Sequence, residues 1–115
     1  MRNDKDNLIV DLTFKFSLAI LDFCEKLESS KKYVLARQLL KSGTSIGANV
    51  REAQNAESKA DFIHKFKIAA KEADETEYWL LLCKESEHYA NPELMLEELR
   101  SIIRIISKII SSSKV

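Results

Sequence analysis

Only two glycines and one proline occur among the 115 residues. A β-sandwich or barrel needs a turn about every ten residues, and a dinucleotide or P-loop site needs a glycine-rich turn, so this shortage excludes both. Cysteine is as sparse: Cys24 and Cys83 stand apart in apolar contexts with no C-x-x-C. That fits two reduced thiols in a cytosolic protein better than a disulfide. Met1 to Asp6 lack the apolar core of a signal peptide. The apolar stretch that follows is interrupted by Asp11, Lys15 and Asp22, so it spans no bilayer. A soluble, cytoplasmic chain without a membrane partner is expected. Charge of one sign is missing too: 18 Lys+Arg balance 18 Asp+Glu. The balance argues against a generic nucleic-acid coat or a basic tail.

What is present is helical periodicity. The chain is 45% hydrophobic and 31% charged, and its length suits one domain with a single core. The apolar spacing predicts helices over residues 5–28, 33–56, 59–89 and 92–111. Ser58 and Asp61 have the spacing of a capping box. Asn91-Pro92-Glu93 is a helix start, with Asn as cap and Pro at the first helical position. The serines at 111–113 should fray. Short connections between long helices imply an all-α, antiparallel up-down-up-down four-helix bundle over residues 1–115.

The expected core stripes follow. Helix 1 supplies Leu8, Leu12, Phe16, Ala19, Phe23 and Leu27. Helix 2 supplies Leu35, Leu39, Ser42, Ile46, Asn49 or Val50, and Ala53. Helix 3 supplies Phe62, Phe66, Ala69, Ala73, Thr76, Leu80 and Cys83, and helix 4 Met95, Leu99, Ile102, Ile106 and Ile109. Gly43 and Gly47 lie four apart inside helix 2, each costing about 1 kcal/mol relative to alanine. The stripe keeps its phase through them, so a continuous helix with close packing at the glycines is favoured over a break.

Two helices carry more apolar surface than one core can use. Helix 1 has a second stripe of Val10, Phe14, Leu18 and Leu21, and helix 3 places Ile68, Tyr78, Trp79 and Leu82 off its core line. Either neighbouring helices cover these residues or a partner does; their recurrence on two helices points to self-association. The pattern fits ring and dimer alike.

Catalytic constellations are missing. Glu85-x-x-His88 and Asp61-x-x-His64 resemble the di-iron spacing, but they share one helix and cannot meet at a metal pair. Ser42 and Ser45 have no histidine nearby and suit a tight helix contact. Neither enzyme, metal nor cofactor is expected. Glu72 and Glu75 form either a partly buried network with Asn49, Thr76 or Arg51, or a solvated acidic face.

Charge distribution is more telling than the total. Residues 29–71 hold nine basic residues against three acidic ones, leaving a compensating acidic surplus elsewhere. Arg37, Lys41, Thr44 and Arg51 project from helix 2 opposite its core stripe, and Lys67 and Lys71 add to them from helix 3. Such a ridge is either a solvated face or a phosphate contact to RNA or another nucleic acid. No aromatic is interleaved with it, so base stacking is not indicated. A protein adaptor without any nucleic-acid role is the alternative.

The segment Arg37-Gln38-Leu39-Leu40-Lys41-Ser42-Gly43-Thr44-Ser45-Ile46-Gly47-Ala48-Asn49-Val50-Arg51-Glu52-Ala53 resembles the signature of the four-helix-bundle proteins encoded in 23S rRNA intervening sequences. Phe62, Phe66, Ala69, Glu72, Glu75, Thr76, Trp79 and Leu80 fit that family's third helix, and the similarity spans about residues 8–110. The resemblance implies an antiparallel bundle assembling as a homopentamer. Some members are labelled ribosomal-protein-like, a name that follows genetic location. A related branch includes the accessory variability determinant of diversity-generating retroelements, a basic pentamer that contacts nucleic acid and a reverse transcriptase. The present chain is neutral overall, unlike that branch. The family offers no catalytic residues to carry over.

Overall fold

Four helices account for most of the chain in the computed structural model, which describes residues 7–114: α1 (Leu8–Ser29), α2 (Tyr33–Ala53), α3 (Lys59–Glu85) and α4 (Glu93–Ser113). They pack in a cycle, α1 on α2, α2 on α3, α3 on α4 and α4 back on α1. The result is an antiparallel up-down-up-down bundle measuring 45 × 22 × 19 Å.

Local chemistry sets the ends. α1 closes in a Schellman motif: Lys32 N–H donates to the Leu27 carbonyl at 2.8 Å and Lys31 N–H to Glu28 at 2.9 Å. Lys31 takes the left-handed position at φ 65° that glycine usually fills. α2 stops at Ala53, three residues before the predicted end. The buried Gln54 side chain donates to the Val50 carbonyl at 3.0 Å and accepts from Asn7, which fixes the chain in a turn. At the start of α3, Ser58 Oγ accepts from Asp61 N–H at 3.0 Å, while the Asp61 carboxylate accepts from Glu57 N–H at 3.2 Å. The capping box is therefore displaced by one residue on its return bond.

α3 ends at Glu85, four residues before the expectation. Ser86 turns extended, and Tyr89 folds back beneath the Lys32 ammonium, 4.9 Å from its ring centre. At α4, Asn91 Oδ1 accepts Glu93 N–H at 3.0 Å from just ahead of the helix, one residue outside the N-cap position expected for it. Pro92 is the N-cap residue itself rather than the first helical one. α4 runs to Ser113, through the serines expected to fray; the Ser112 hydroxyl donates back to Lys108 at 2.8 Å. Positions 5 and 6, placed in helix 1 from sequence, lie outside the described residues.

The α3 stripe buries as expected from Phe66 through Cys83, with Phe62 half-buried at its start. α4 buries Met95, Leu99, Ile102 and Ile106, adds Leu96, and leaves Ile109 partly covered. α1 differs. Leu8 is 59% exposed and Leu12 and Ala19 are half-buried, whereas Ile9, Thr13, Ile20 and Cys24 join Phe16, Phe23 and Leu27 inside. The buried face is rotated toward α2, and the glycines explain the rotation. A methyl added to Gly43 would lie 2.7 Å from Ile20 carbons, and one on Gly47 would lie 3.1 Å from the Thr13 carbonyl oxygen. With no β-carbons there, α1 drops onto α2 and turns Ile20 and Thr13 inward. α2 shifts in the same sense, burying Ala36 and Gly43 where Leu35 was expected. Its helix is continuous through both glycines.

Among the described residues, the buried polar side chains are the hydroxyls of Thr13, Ser42 and Thr76 and the amide of Gln54. Thr76 Oγ1 lies 2.9 Å from Ser42 Oγ and 2.7 Å from the Glu72 carbonyl, joining α3 to α2. Thr13 returns its proton to the Ile9 carbonyl at 2.8 Å. Outside the core, Lys65–Glu52 at 3.0 Å ties α3 to α2, and Lys84–Glu93 and Arg100–Glu77 at 3.3 and 3.4 Å tie α3 to α4.

Candidate assembly and nucleic-acid faces

The close contact of Ile20 with Gly43, and of Ser42 with Thr76, puts these four residues at one height along the bundle. Other heights follow from a rise of about 1.5 Å per residue. Height along the axis and burial together sort the candidate residues into three surfaces.

The first lies along α1 where it meets α2. Phe14 is 55% exposed, and Leu18 and Leu21 are exposed beside it, with Val10 half-buried at their lower end. α2 contributes Leu40 to this side. A notch of 240 Å³ between Val10, Phe14, Ser17, Gly47, Ala48 and Arg51 exists because residues 47 and 48 are small. The bundle leaves Phe14, Leu18 and Leu21 uncovered.

The second surface is a groove between α2 and α3. Val34, Leu35, Gln38, Trp79, Leu82, Ser86 and Tyr89 line a volume of 590 Å³. Tyr78 beside it is 57% exposed and meets the Trp79 ring edge-on, with centroids 5.3 Å apart. Trp79 leans on the core and donates its indole N–H to Glu75 at 3.1 Å. Ile68 is half-buried farther down α3, away from this groove. Sequence reasoning missed Val34, which is 70% exposed. Its signal was available, since it lies one turn before Gln38 on the side away from the Leu39–Ile46 line. Tyr89 was hidden because it was placed inside a helix that in fact ends at Glu85.

The third surface is the outward side of α2, between the other two. Arg37, Lys41 and Arg51 are exposed there. Thr44 is half-buried, and its hydroxyl donates to the Leu40 carbonyl at 2.7 Å, so its proton is committed within the helix. Lys67 and Lys71 are exposed on α3. Arg51 and Lys67 stand level, each about 13 Å below the Ser42–Thr76 pair. Arg37 and Lys41 sit above that pair, at the rim of the Trp79 groove. The six candidates therefore descend the bundle in steps, four on α2 and two on α3, rather than gathering at one height. Lys65 between the helices is engaged by Glu52, which holds its ammonium above the usual lysine range.

Chemistries weighed and set aside in the sequence, and the polar network left open there, are located as follows among the described residues. No three His, Cys, Asp or Glu side chains gather closely enough to hold a metal ion. Glu75 bonds Trp79 at the surface, and Asn49 donates to the Ser45 carbonyl at 2.9 Å. Thr76 meets the Glu72 backbone carbonyl rather than its carboxylate, and its side-chain partner is Ser42, a pairing not anticipated among the network alternatives. Among the described residues, no helix is long and apolar enough to cross a membrane.

The model of the 23S rRNA-intervening sequence protein family matches residues 5–112. The chain belongs to that family. Its fold agrees with a crystal structure, at 1.70 Å resolution, of a protein of unknown function from the S23 ribosomal protein family of Bacteroides thetaiotaomicron VPI-5482. The two are 40% identical, with a TM-score of 0.85 over 90% of this chain and 98% of that one. No curated protein matches the chain. For a member of the intervening-sequence family, the two uncovered apolar surfaces and the basic α2 between them are the features that call for a function.

Proposed function

We propose that this member of the intervening-sequence family is a non-enzymatic, self-associating bundle that acts in the cytoplasm and contacts RNA through the basic side of α2. One observation carries the reading: Phe14, Leu18 and Leu21 on one side of α2, and Tyr78, Trp79 and Leu82 on the other, offer apolar surface that the chain itself leaves exposed or only half-covered. Exposed apolar patches of this kind mark association surfaces, and Tyr and Trp are favoured anchors there. The family resemblance implies five copies, and repetition of Arg37, Lys41 and Arg51 around an assembly would strengthen their field. Kinship with the retroelement accessory branch belongs to the same reading.

Light scattering at micromolar concentration tests assembly: a mass several times 13.2 kDa is expected, and a clean monomer refutes it. Affinity for structured RNA should fall with salt and fall further in Arg37→Glu/Lys41→Glu. Binding indifferent to both removes α2 from the contact. The groove beside Trp79, with Gln38 and Ser86 its main polar lining, favours a second reading, an adaptor holding an apolar helix of another protein. Under that reading the pure chain stays monomeric and gains no affinity for RNA.

A further inference from the structure

We propose that the RNA contacted by α2 is double-helical, with Arg37 and Lys41 on one backbone, Arg51 on the other, and Thr44 between them accepting a hydrogen bond from a ribose 2′-hydroxyl in the minor groove. The proposal rests on the RNA reading of α2 and names the form of RNA that it takes. Arg37, Lys41, Thr44, Ala48 and Arg51 fall within about 80° of one another around the helix. Four of the five are exposed and Thr44 is half-buried among them. No acidic residue interrupts α2 from Tyr33 to Arg51. Glu52, the first beyond them, is engaged by Lys65 at 3.0 Å.

Shape narrows the ligand. Along the helix, Arg37 stands about 21 Å and Lys41 about 15 Å from Arg51. That span is far wider than the minor groove of B-form DNA, at about 6 Å. Nor can α2 sink into a major groove about 12 Å wide and 8.5 Å deep, because α1 and α3 flank it in a bundle 22 × 19 Å across. The minor groove of A-form RNA is wide and shallow. Between the cations the outward positions are Thr44 and Ala48, both small. The middle of α2 can therefore lie against such a groove while the long side chains at either end reach the phosphates.

Hydrogen bonding points the same way. The Thr44 hydroxyl gives its proton to the Leu40 carbonyl at 2.7 Å, in a bond that lies at the surface. Ser45, one turn on from Ser42, gives its own to the Lys41 carbonyl at 2.6 Å. Each oxygen keeps lone pairs but has no proton left to offer. Phosphate oxygens are acceptors and gain nothing there, and deoxyribose carries no donor at the 2′ position. A ribose 2′-hydroxyl is a donor, and it is the group by which a protein tells RNA from DNA. Phosphates thus fall to Arg37, Lys41 and Arg51, and a sugar to Thr44. No aromatic residue lies between Arg37 and Arg51, so unpaired bases find no face to stack on.

Fluorescence anisotropy at one salt concentration tests this with four labelled probes of one sequence. They are an RNA duplex, the matching DNA duplex, a 2′-fluoro duplex that stays A-form but lacks the hydroxyl, and single-stranded RNA. The RNA duplex should bind tightest, and the 2′-fluoro duplex about three- to ten-fold more weakly, the worth of one hydrogen bond. The DNA duplex and the single strand should be weaker still. RNA and DNA duplexes bound alike, a 2′-fluoro duplex bound as tightly as RNA, or a preference for the single strand overturns the proposal and leaves the basic contact of α2 standing. No binding to any probe overturns the RNA reading as well.

Substitutions give a second, independent answer. Thr44→Val keeps the shape and removes the acceptor, so affinity for the RNA duplex should fall by the same factor as the 2′-fluoro change. The two changes together should cost no more than either alone. Thr44→Ser keeps the oxygen and should retain the preference. Arg51→Gln should weaken RNA and DNA duplexes together and lower the salt slope by about one. Circular dichroism checks that all three variants fold. A folded Thr44→Val that still discriminates RNA from the 2′-fluoro duplex as the wild type does overturns the contact.

Discussion

Ile20 of α1 rests on Gly43 of α2 so closely that a β-carbon at Gly43 would stand 2.7 Å from both Cγ1 and Cδ1 of the isoleucine. Two effects oppose each other in Gly43→Ala. Alanine favours the helix by about 1 kcal/mol, while overpacking a filled site costs roughly 1–3 kcal/mol. Ile20 is fully buried and β-branched, so it has few rotamers into which to retreat. Overpacking should win, lowering the denaturant midpoint with an unchanged slope. Ile20→Ala leaves a cavity and is destabilising by about 2–5 kcal/mol. The double variant should lose less than the sum of the two, because the new methyl fills part of that cavity. A more stable Gly43→Ala would show that α1 can back away.

Among the described residues, the Ser42–Thr76 pair is the one hydrogen bond that joins two fully buried side chains on different helices. Each hydroxyl carries one proton. If Thr76 gives its own to the Glu72 carbonyl, Ser42 supplies the proton shared between them. Thr76→Val keeps the volume and removes the oxygen, leaving Ser42 to find a carbonyl within α2. A loss of about 1–2 kcal/mol is expected. Adding Ser42→Ala should restore part of it, since no buried donor is then orphaned. Strict additivity in a double-mutant cycle would mean that the two hydroxyls do not act as a pair.

The same contacts explain which parts of the fold were legible in the amino-acid order. On α3, the steps from Phe66 through Ala69, Ala73, Thr76 and Leu80 to Cys83 alternate between three and four, and all six bury. Their periodicity has one solution. On α1, apolar residues occupy so much of the helix that periodicity alone admits several buried faces, and Leu8 was wrongly placed inside. What chooses the face is the absence of two β-carbons on another helix, a tertiary effect that no α1 spacing records. Helix ends failed for a related reason: α3 stops where Tyr89 finds Lys32, a residue more than fifty positions away. The candidate surfaces were half legible. Phe14, Leu18, Leu21, Tyr78 and Leu82 announced themselves as surplus apolar residues. The groove did not, because it needs Val34 from one helix and Tyr89 from a loop to close around Trp79.

Lys31 holds φ at 65° in the loop after α1. A side chain in the left-handed region costs about 1–2 kcal/mol, and glycine removes that cost at the price of a more disordered unfolded chain. The two hydrogen bonds closing the motif, Lys32 to Leu27 and Lys31 to Glu28, use backbone atoms alone and survive the change. Lys31→Gly should therefore raise stability by up to about 1 kcal/mol, seen as a melting temperature higher by a few degrees. Lys31→Val, β-branched and ill suited to positive φ, should lower it. A reversed order would mean that the lysine side chain contributes more than its backbone strain removes.

Cys24 and Cys83 are both buried, and burial pushes each thiol from 9.0 up to about 11; the nearby Glu28 carboxylate and Cys83 add to the effect at Cys24. Cys24 also donates weakly to the Ala36 carbonyl at 3.3 Å. In the unfolded chain the thiols ionise first, so between about pH 9 and 11 the folded state holds more protons than the unfolded one. Stability should then fall as pH rises through that window and be independent of these groups below it. Denaturant midpoints in the Cys24→Ser/Cys83→Ala variant provide the comparison, because its decline over the same range should be shallower. Native thiols should react with an aromatic disulfide reagent far more slowly than the unfolded chain does at pH 8, since thiolate is the attacking species and both sulfurs are shielded. Fast native labelling at micromolar reagent would place one of the two cysteines at an opening in the bundle.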